Sequence, residues 1–202
     1  MNDSRMPDKS DRIATYFSAA MVAAVAATFV WLAIQRVREV AAGGAIPVEV
    51  PVDEEAVSLP VGPGGAMEEA AATTAIVGVE DPASATLFAL YAQPIWMAVA
   101  VCAGLAIALA FFRRLARGRA FDKGTAALAW GGATVLTAGW FVGGILTDMT
   151  TNGALSAISD GSYEALTFET DIFPVVATLM VGAVAVALQI GEKLQRESEG
   201  LV

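Results

Sequence analysis

"RRLARGRAFDKG", residues 113–124, holds five of the chain's twelve basic residues and separates two long stretches almost free of charge. Those flanking stretches run from Ala83 to Phe112 and from Thr125 to Leu146, and two more of the same kind run from Ile13 to Ile34 and from Ile172 to Ile190. Each approaches or exceeds the roughly 20 residues that, at a rise of about 1.5 Å, cross a hydrocarbon core about 30 Å thick. The basic stretch therefore reads as the loop between two membrane-crossing helices. It also decides their direction, because Lys and Arg in short loops are retained on the cytoplasmic side.

With both termini inside, ten of the twelve basic residues are cytoplasmic, and only Arg36 and Arg38 lie outside. The reverse orientation inverts that ratio. Composition agrees with a membrane chain: 56% of the 202 residues are hydrophobic, 16% are charged and mean hydropathy is +0.60, against roughly 45–50% apolar and 25% charged in soluble domains. The apolar run after the basic N-terminus is too long for a signal peptide and is followed by "QRVREV", so it is read as a retained helix.

The fold expected is an all-α integral membrane protein, a four-transmembrane-helix bundle with a small extracytoplasmic β element. Its cytoplasmic N-terminus covers 1–12 and its first span 13–36. An extracytoplasmic loop with short strands follows at 37–82. The second span is 83–112, the basic cytoplasmic loop 113–124 and the third span 125–147. A second extracytoplasmic loop at 148–171 precedes the fourth span, 172–192, and the cytoplasmic tail 193–202.

The first outer loop is too long to lack structure of its own. "AIPVEVPV" (45–52) and "TTAIVGVE" (73–80) carry the alternation and β-branched content of strands, and Pro47 and Pro51 restrict the first to a sheet edge. Between them, "PVGPGGAMEEAAA" reads as a Gly/Pro turn followed by a helical turn. "EALTFET" (164–170), in the second loop, reads as a third strand, so that one small sheet unites both loops. Fourteen of the chain's twenty-one acidic residues fall in these two segments. Asp53, Glu54 and Glu55 lack the alternating spacing of a calcium loop, and a solvated acidic surface is the expectation.

Inside the spans, chemistry is sparse. No Asp, Glu, Lys or Arg occupies the central part of any expected helix, and the chain has no histidine. Proton relays, ion pathways and voltage sensors depend on such groups. The absence of histidine also removes histidine-ligated haem, HExxH metalloprotease chemistry and the usual base for a Ser or Cys nucleophile. "GPGG" (62–65) lacks the Lys-Ser/Thr of a phosphate-binding loop. Cys102 is the single cysteine, so no intrachain disulfide forms. No catalytic residue, cofactor or metal ligand is expected, and no nucleic-acid partner.

Gln93-Pro94 marks a kink or the true start of the second span. Gln93 is read either as packing against freed backbone groups or as an amide that lines a pore or touches a ligand. Gly139 and Gly143 have the four-residue spacing that lets helix backbones approach closely, and they serve packing within the bundle or with a second subunit.

"GRAFDKG" (118–124) before the third span, together with "GEKLQRESEGLV" (191–202) closing the chain, resembles the bacterial membrane proteins grouped as domain of unknown function 2975. Gly118, Phe121, Gly191, Leu194, Leu201 and Val202 are the matching positions. At Leu188-Gln189-Ile190 this chain lacks the aromatic residue that many relatives carry just before the glycine. The resemblance implies four helices and a bacterial source, and it carries no catalytic residues. Read physically, Gly118 permits a tight turn, Phe121 anchors the loop at the interface, and Leu194, four residues after Ile190, packs on the loop. Arg117, Gly118, Arg119, Phe121, Gly191, Leu194, Leu201 and Val202 thus form a candidate cytoplasmic interaction patch. Its cations attract anionic lipid headgroups, at about 1 kcal/mol each near the surface.

The function expected is a non-enzymatic accessory or regulatory subunit of a membrane complex in the bacterial cytoplasmic membrane. A small oligomeric channel or lipid-binding transporter is the alternative. Partners are anionic lipids and either a protein or further copies of the chain.

Overall fold

The computed structural model describes residues 9–117, 121–159, 161 and 172–199, without the side chains of 9–16, 53–55, 198 and 199. Four helices dominate: α1 (Lys9–Ala41), α2 (Ser84–Ala116), α3 (Lys123–Ile158) and α4 (Phe173–Glu199). All four contain a segment long and apolar enough to cross a membrane, and little of each segment is buried within the chain. Between α1 and α2, strands β1 (Ile46–Leu59) and β2 (Glu68–Val79) form a two-stranded antiparallel hairpin.

The chain divides into two compact units. The helical unit takes its described residues from Met1–Ile34, Pro94–Gly143 and Asp171–Val202. The division falls inside α1, α2 and α3. Helices α2 and α3 are packed through small residues: a Cβ placed on Gly139 would stand 3.3 Å from the Cβ of Ala100, and one on Gly143 would stand 3.3 Å from the Met97 sulfur. The Trp96 indole Nε1 donates to the Gly139 carbonyl oxygen at 3.3 Å. Thr134 and Thr137 return their hydroxyls to the carbonyls of Trp130 and Ala133 in the preceding turn, which is how a threonine is satisfied inside an apolar helix.

The hairpin unit comprises Gln35–Gln93 and the described part of Gly144–Thr170. Its core joins Val40 of α1, Ile46, Val48 and Val50 of β1, Val79 of β2, Leu90 of α2 and Ala154 and Leu155 of α3. Register explains the selection, since Ile46, Val48 and Val50 face Val79, Val77 and Ala75 across the ladder and strand residues two apart share a face. The opposite face is open, with Ile76 at 76% exposure. Pro47 and Pro51 fall on alternate ladder positions, opposite Gly78 and Thr74, where a missing N–H costs no bond to β2. Beyond Pro51 the register shifts, and the distal ladder pairs Glu55–Leu59 with Glu68–Ala72. Gly64 and Gly65 close the hairpin with φ of 70° and 83°, a region that glycine enters at no steric cost.

Four boundaries differ from the sequence expectation. Helix α1 continues through Arg36 and Arg38 to Ala41 and stops at Gly43 and Gly44, whose φ values are positive. Helix α2 runs on through Arg113 and Arg114 to Ala116, which shortens the basic loop. The stretch "AMEEAAA" is strand rather than helical turn from Glu68 onward, because Ala70, Ala71 and Ala72 pair with Val57, Ala56 and Glu55; ladder pairing overrides the helix preference of alanine. Helix α3 extends to Ile158, eleven residues past the expected end at 147. "TDMTTNG" reads as loop by propensity, yet Thr150, Thr151, Ala154 and Leu155 recur on one helix face and are all buried, so packing decides. The second loop thus joins the hairpin through a helix. The strand expected at 164–170 lies outside the described residues, as do Gly118, Arg119, Leu201 and Val202.

Candidate functional site

Asp122 begins the local structure around the basic loop. Its backbone carbonyl and its Oδ1 accept from the first free amides of α3: Gly124 N–H reaches Oδ1 at 2.5 Å, and Thr125 N–H reaches the carbonyl at 2.9 Å. This is an N-cap, which satisfies donors that have no partner within the helix. The guanidinium of Arg114, from the last turn of α2, bonds the same carboxylate at 2.9 and 3.2 Å. Arg114 lies so close over Gly124 that any side chain there would overlap it. "FDKG" is therefore a clasp in which the cap, the ion pair and the glycine depend on one another. Sequence reasoning passed over Asp122 and Gly124, although Asp immediately before a helical run is a capping signature.

Within the same unit the ring of Phe121 rests on Gly191 of α4, where a Cβ would overlap Cδ1 and Cε1. The structure thus brings one residue from each of the two motifs together. Leu194 is 60% exposed and Arg117 is exposed. Gly139 and Gly143 sit in the α2–α3 contact described above.

The hairpin unit holds a cavity of about 490 Å³, within the range of small-molecule sites. Five elements contribute. Arg36 comes from α1, Glu49 from β1, Thr73 and Thr74 from β2, Gln93 from α2, and Thr147, Thr150 and Thr151 from α3; Val48, Pro51 and Leu90 supply apolar wall. Arg36 is already engaged, by an ion pair with Glu39 and by donation from Nη2 to the Pro47 carbonyl at 2.7 Å. Gln93 donates its Nε2 to the Thr147 hydroxyl at 2.8 Å, which leaves its second N–H and its amide oxygen. Thr150 donates to the Thr147 carbonyl at 2.7 Å. Among the described residues, Glu49, Thr73, Thr74 and Thr151 make no side-chain hydrogen bond or ion pair. Thr151 is only 7% exposed.

Of these groups the sequence pointed to Gln93 alone. Thr150 and Thr151 gave no hint, because they lie on a helix extension that propensity reads as loop. No family model, no curated protein and no solved structure matches the chain.

Proposed function

We propose that the chain is a non-enzymatic, multi-pass protein of the bacterial cytoplasmic membrane, with both termini and the basic loop inside, acting as an accessory or regulatory subunit of a membrane complex. The observation that carries this reading is the way the helices are used. At about 1.5 Å per residue, the 33 residues of α2 and the 36 of α3 measure roughly 50 Å or more, well beyond a hydrocarbon core of about 30 Å. The excess length of α2 and α3 is spent in the hairpin unit, whose core needs Leu90, Ala154 and Leu155. A chain that devotes its helices to carrying a folded extramembrane unit, with charge-free span centres, suits a role in presenting or sensing rather than transport.

The basic loop would then lie against anionic headgroups. The likeness to proteins of domain of unknown function 2975 belongs to the same proposal and rests on the two motifs that meet at Phe121 and Gly191.

The test is the native mass, with peptide identification, of the tagged chain extracted gently from its own membranes at natural expression. Distinct partner chains in fixed ratio are expected. A homogeneous homo-oligomer with bound lipid would overturn the accessory reading in favour of a channel or lipid-binding transporter.

A further inference from the structure

We propose that the helical unit holds one anionic phospholipid, its acyl chain in an apolar groove of α2, α3 and α4 and its phosphate on the Arg114 guanidinium at the groove's end. The inference rests on the membrane-spanning reading above and gives the lipid partner a defined place. The groove has a volume of about 370 Å³ and is lined by apolar residues alone. Small residues make the hollow, Gly104 and Ala108 from α2 and Ala129 and Gly132 from α3. A Cβ on Gly132 would stand 3.7 Å from Ile107 Cγ2 and 3.8 Å from Val181 Cγ1, so this glycine lies where α2, α3 and α4 meet. Leu136 and Val184, on the rim, are exposed, which leaves the groove open along its side to hydrocarbon.

Contacts fix its direction. Gly104 lies against Val135, Ile107 against Gly131 and Gly132, and Arg114 against Gly124, so α2 and α3 run antiparallel. From Gly104 and Leu136 to Phe112 and Leu128 the groove extends about 12 Å, at about 1.5 Å per residue, room for part of one acyl chain. One turn past Phe111 on α2 stands Arg114, and one turn before Leu128 on α3 stands Gly124. The clasp therefore marks one end of the groove. Arg114 is held there by Nη1, which donates to both Asp122 oxygens at 2.9 and 3.2 Å. Its Nε and Nη2 have no partner among the described residues, and they present the fork geometry that suits two oxygens of a phosphate.

Charge selects the occupant. Residues 113–124 carry Arg113, Arg114, Arg117, Arg119 and Lys123 against the single carboxylate of Asp122. A guest with an apolar body and an anionic head complements both the groove and its end. A helix from a second copy does not, because in a shared membrane it brings its own basic stretch to the same side. A zwitterionic lipid carries a cation beside its phosphate and gains less.

The full chain, purified in detergent, is titrated with phosphatidylglycerol and separately with phosphatidylcholine of the same acyl chains, and adducts are counted by native mass spectrometry. One saturating phosphatidylglycerol per chain is expected, with phosphatidylcholine weaker by about tenfold. Arg114→Gln should weaken phosphatidylglycerol by about fivefold, the effect of one basic residue at a headgroup. Lys193→Gln removes an equal charge from the exposed tail of α4 and should leave binding unchanged. Gly132→Leu fills the groove without altering charge and should weaken binding by about tenfold. Ala108→Phe fills it from α2 and serves if Gly132→Leu lowers the melting temperature. Equal binding of the two lipids, unchanged binding in a folded groove-filling variant, or equal effects of Arg114→Gln and Lys193→Gln would each overturn the site in favour of diffuse attraction. A lipid-free dimer mass would overturn it in favour of a second copy. The accessory reading is decided by partner chains from native membranes and this site by adducts on the isolated chain, so each can fail alone.

Discussion

Gly124 and Gly153 are both glycines that a methyl group would crowd, and they separate two kinds of constraint. At Gly124 the obstructing atoms are the tip of Arg114, a long side chain that can move away. Gly124→Ala is expected to break the Arg114–Asp122 pair, which is about 36–39% exposed on each side and worth no more than about 1 kcal/mol. Alanine returns up to about 1 kcal/mol of helix propensity, so the melting temperature should barely change. At Gly153 the obstructing atoms include the Cβ of Thr86, at 2.9 Å, which is fixed to the backbone of α2. Relief there requires the helices to part, and Gly153→Ala should cost about 1–3 kcal/mol, read by thermal or denaturant unfolding. Equal effects at the two positions would contradict the packing described. Asp122→Ala, which removes a helix cap, should cost about 1 kcal/mol by the same measurement.

Helix α3 carries the clearest lesson about elements. Its final eleven residues hold Thr-Thr-Asn-Gly, a poor helical sequence, and stay helical because Ala154 and Leu155 close the hairpin core. Ala154 is fully buried, so Ala154→Asp places a carboxylate where nothing in that core can pair with it. The expected result is local opening of the hairpin unit, seen as faster amide exchange across Ile46–Val50 and Val79, with the helical unit near residues 100–140 unaffected. Loss of protection throughout the chain would show instead that the two units do not open separately. The hairpin strands were legible from alternating valines, whereas Glu68–Ala72 was not, because five residues of glutamate and alanine acquire strand geometry only from their partners in β1.

For the molecule as a whole, the disposition of charge yields a topological prediction. In a Cys102→Ala background, Ser58→Cys on the hairpin should react with a membrane-impermeant maleimide in intact cells, and Arg117→Cys should react only after lysis. The opposite pattern would reverse the orientation and with it the assignment of the basic loop to the cytoplasm. Four helices could be anticipated because an apolar segment of sufficient length satisfies its own backbone hydrogen bonds, a property of local sequence. The clasp at "FDKG" was legible in principle, since a cap is also local.

What local sequence determined, then, is the number of helices, their order, and the places along the chain where positive charge accumulates. Where the helices stop, and what the hairpin encloses, depended on residues far apart in the chain. Gln93 and Thr147 are 54 positions apart, and Glu49 and Thr151 come to one cavity from different elements. Composition and periodicity report the environment that a segment requires, and say nothing of which distant segment supplies it. The cavity is therefore a product of the tertiary fold, in which burial holds Thr150 and Thr151 on a helix their own propensities do not favour.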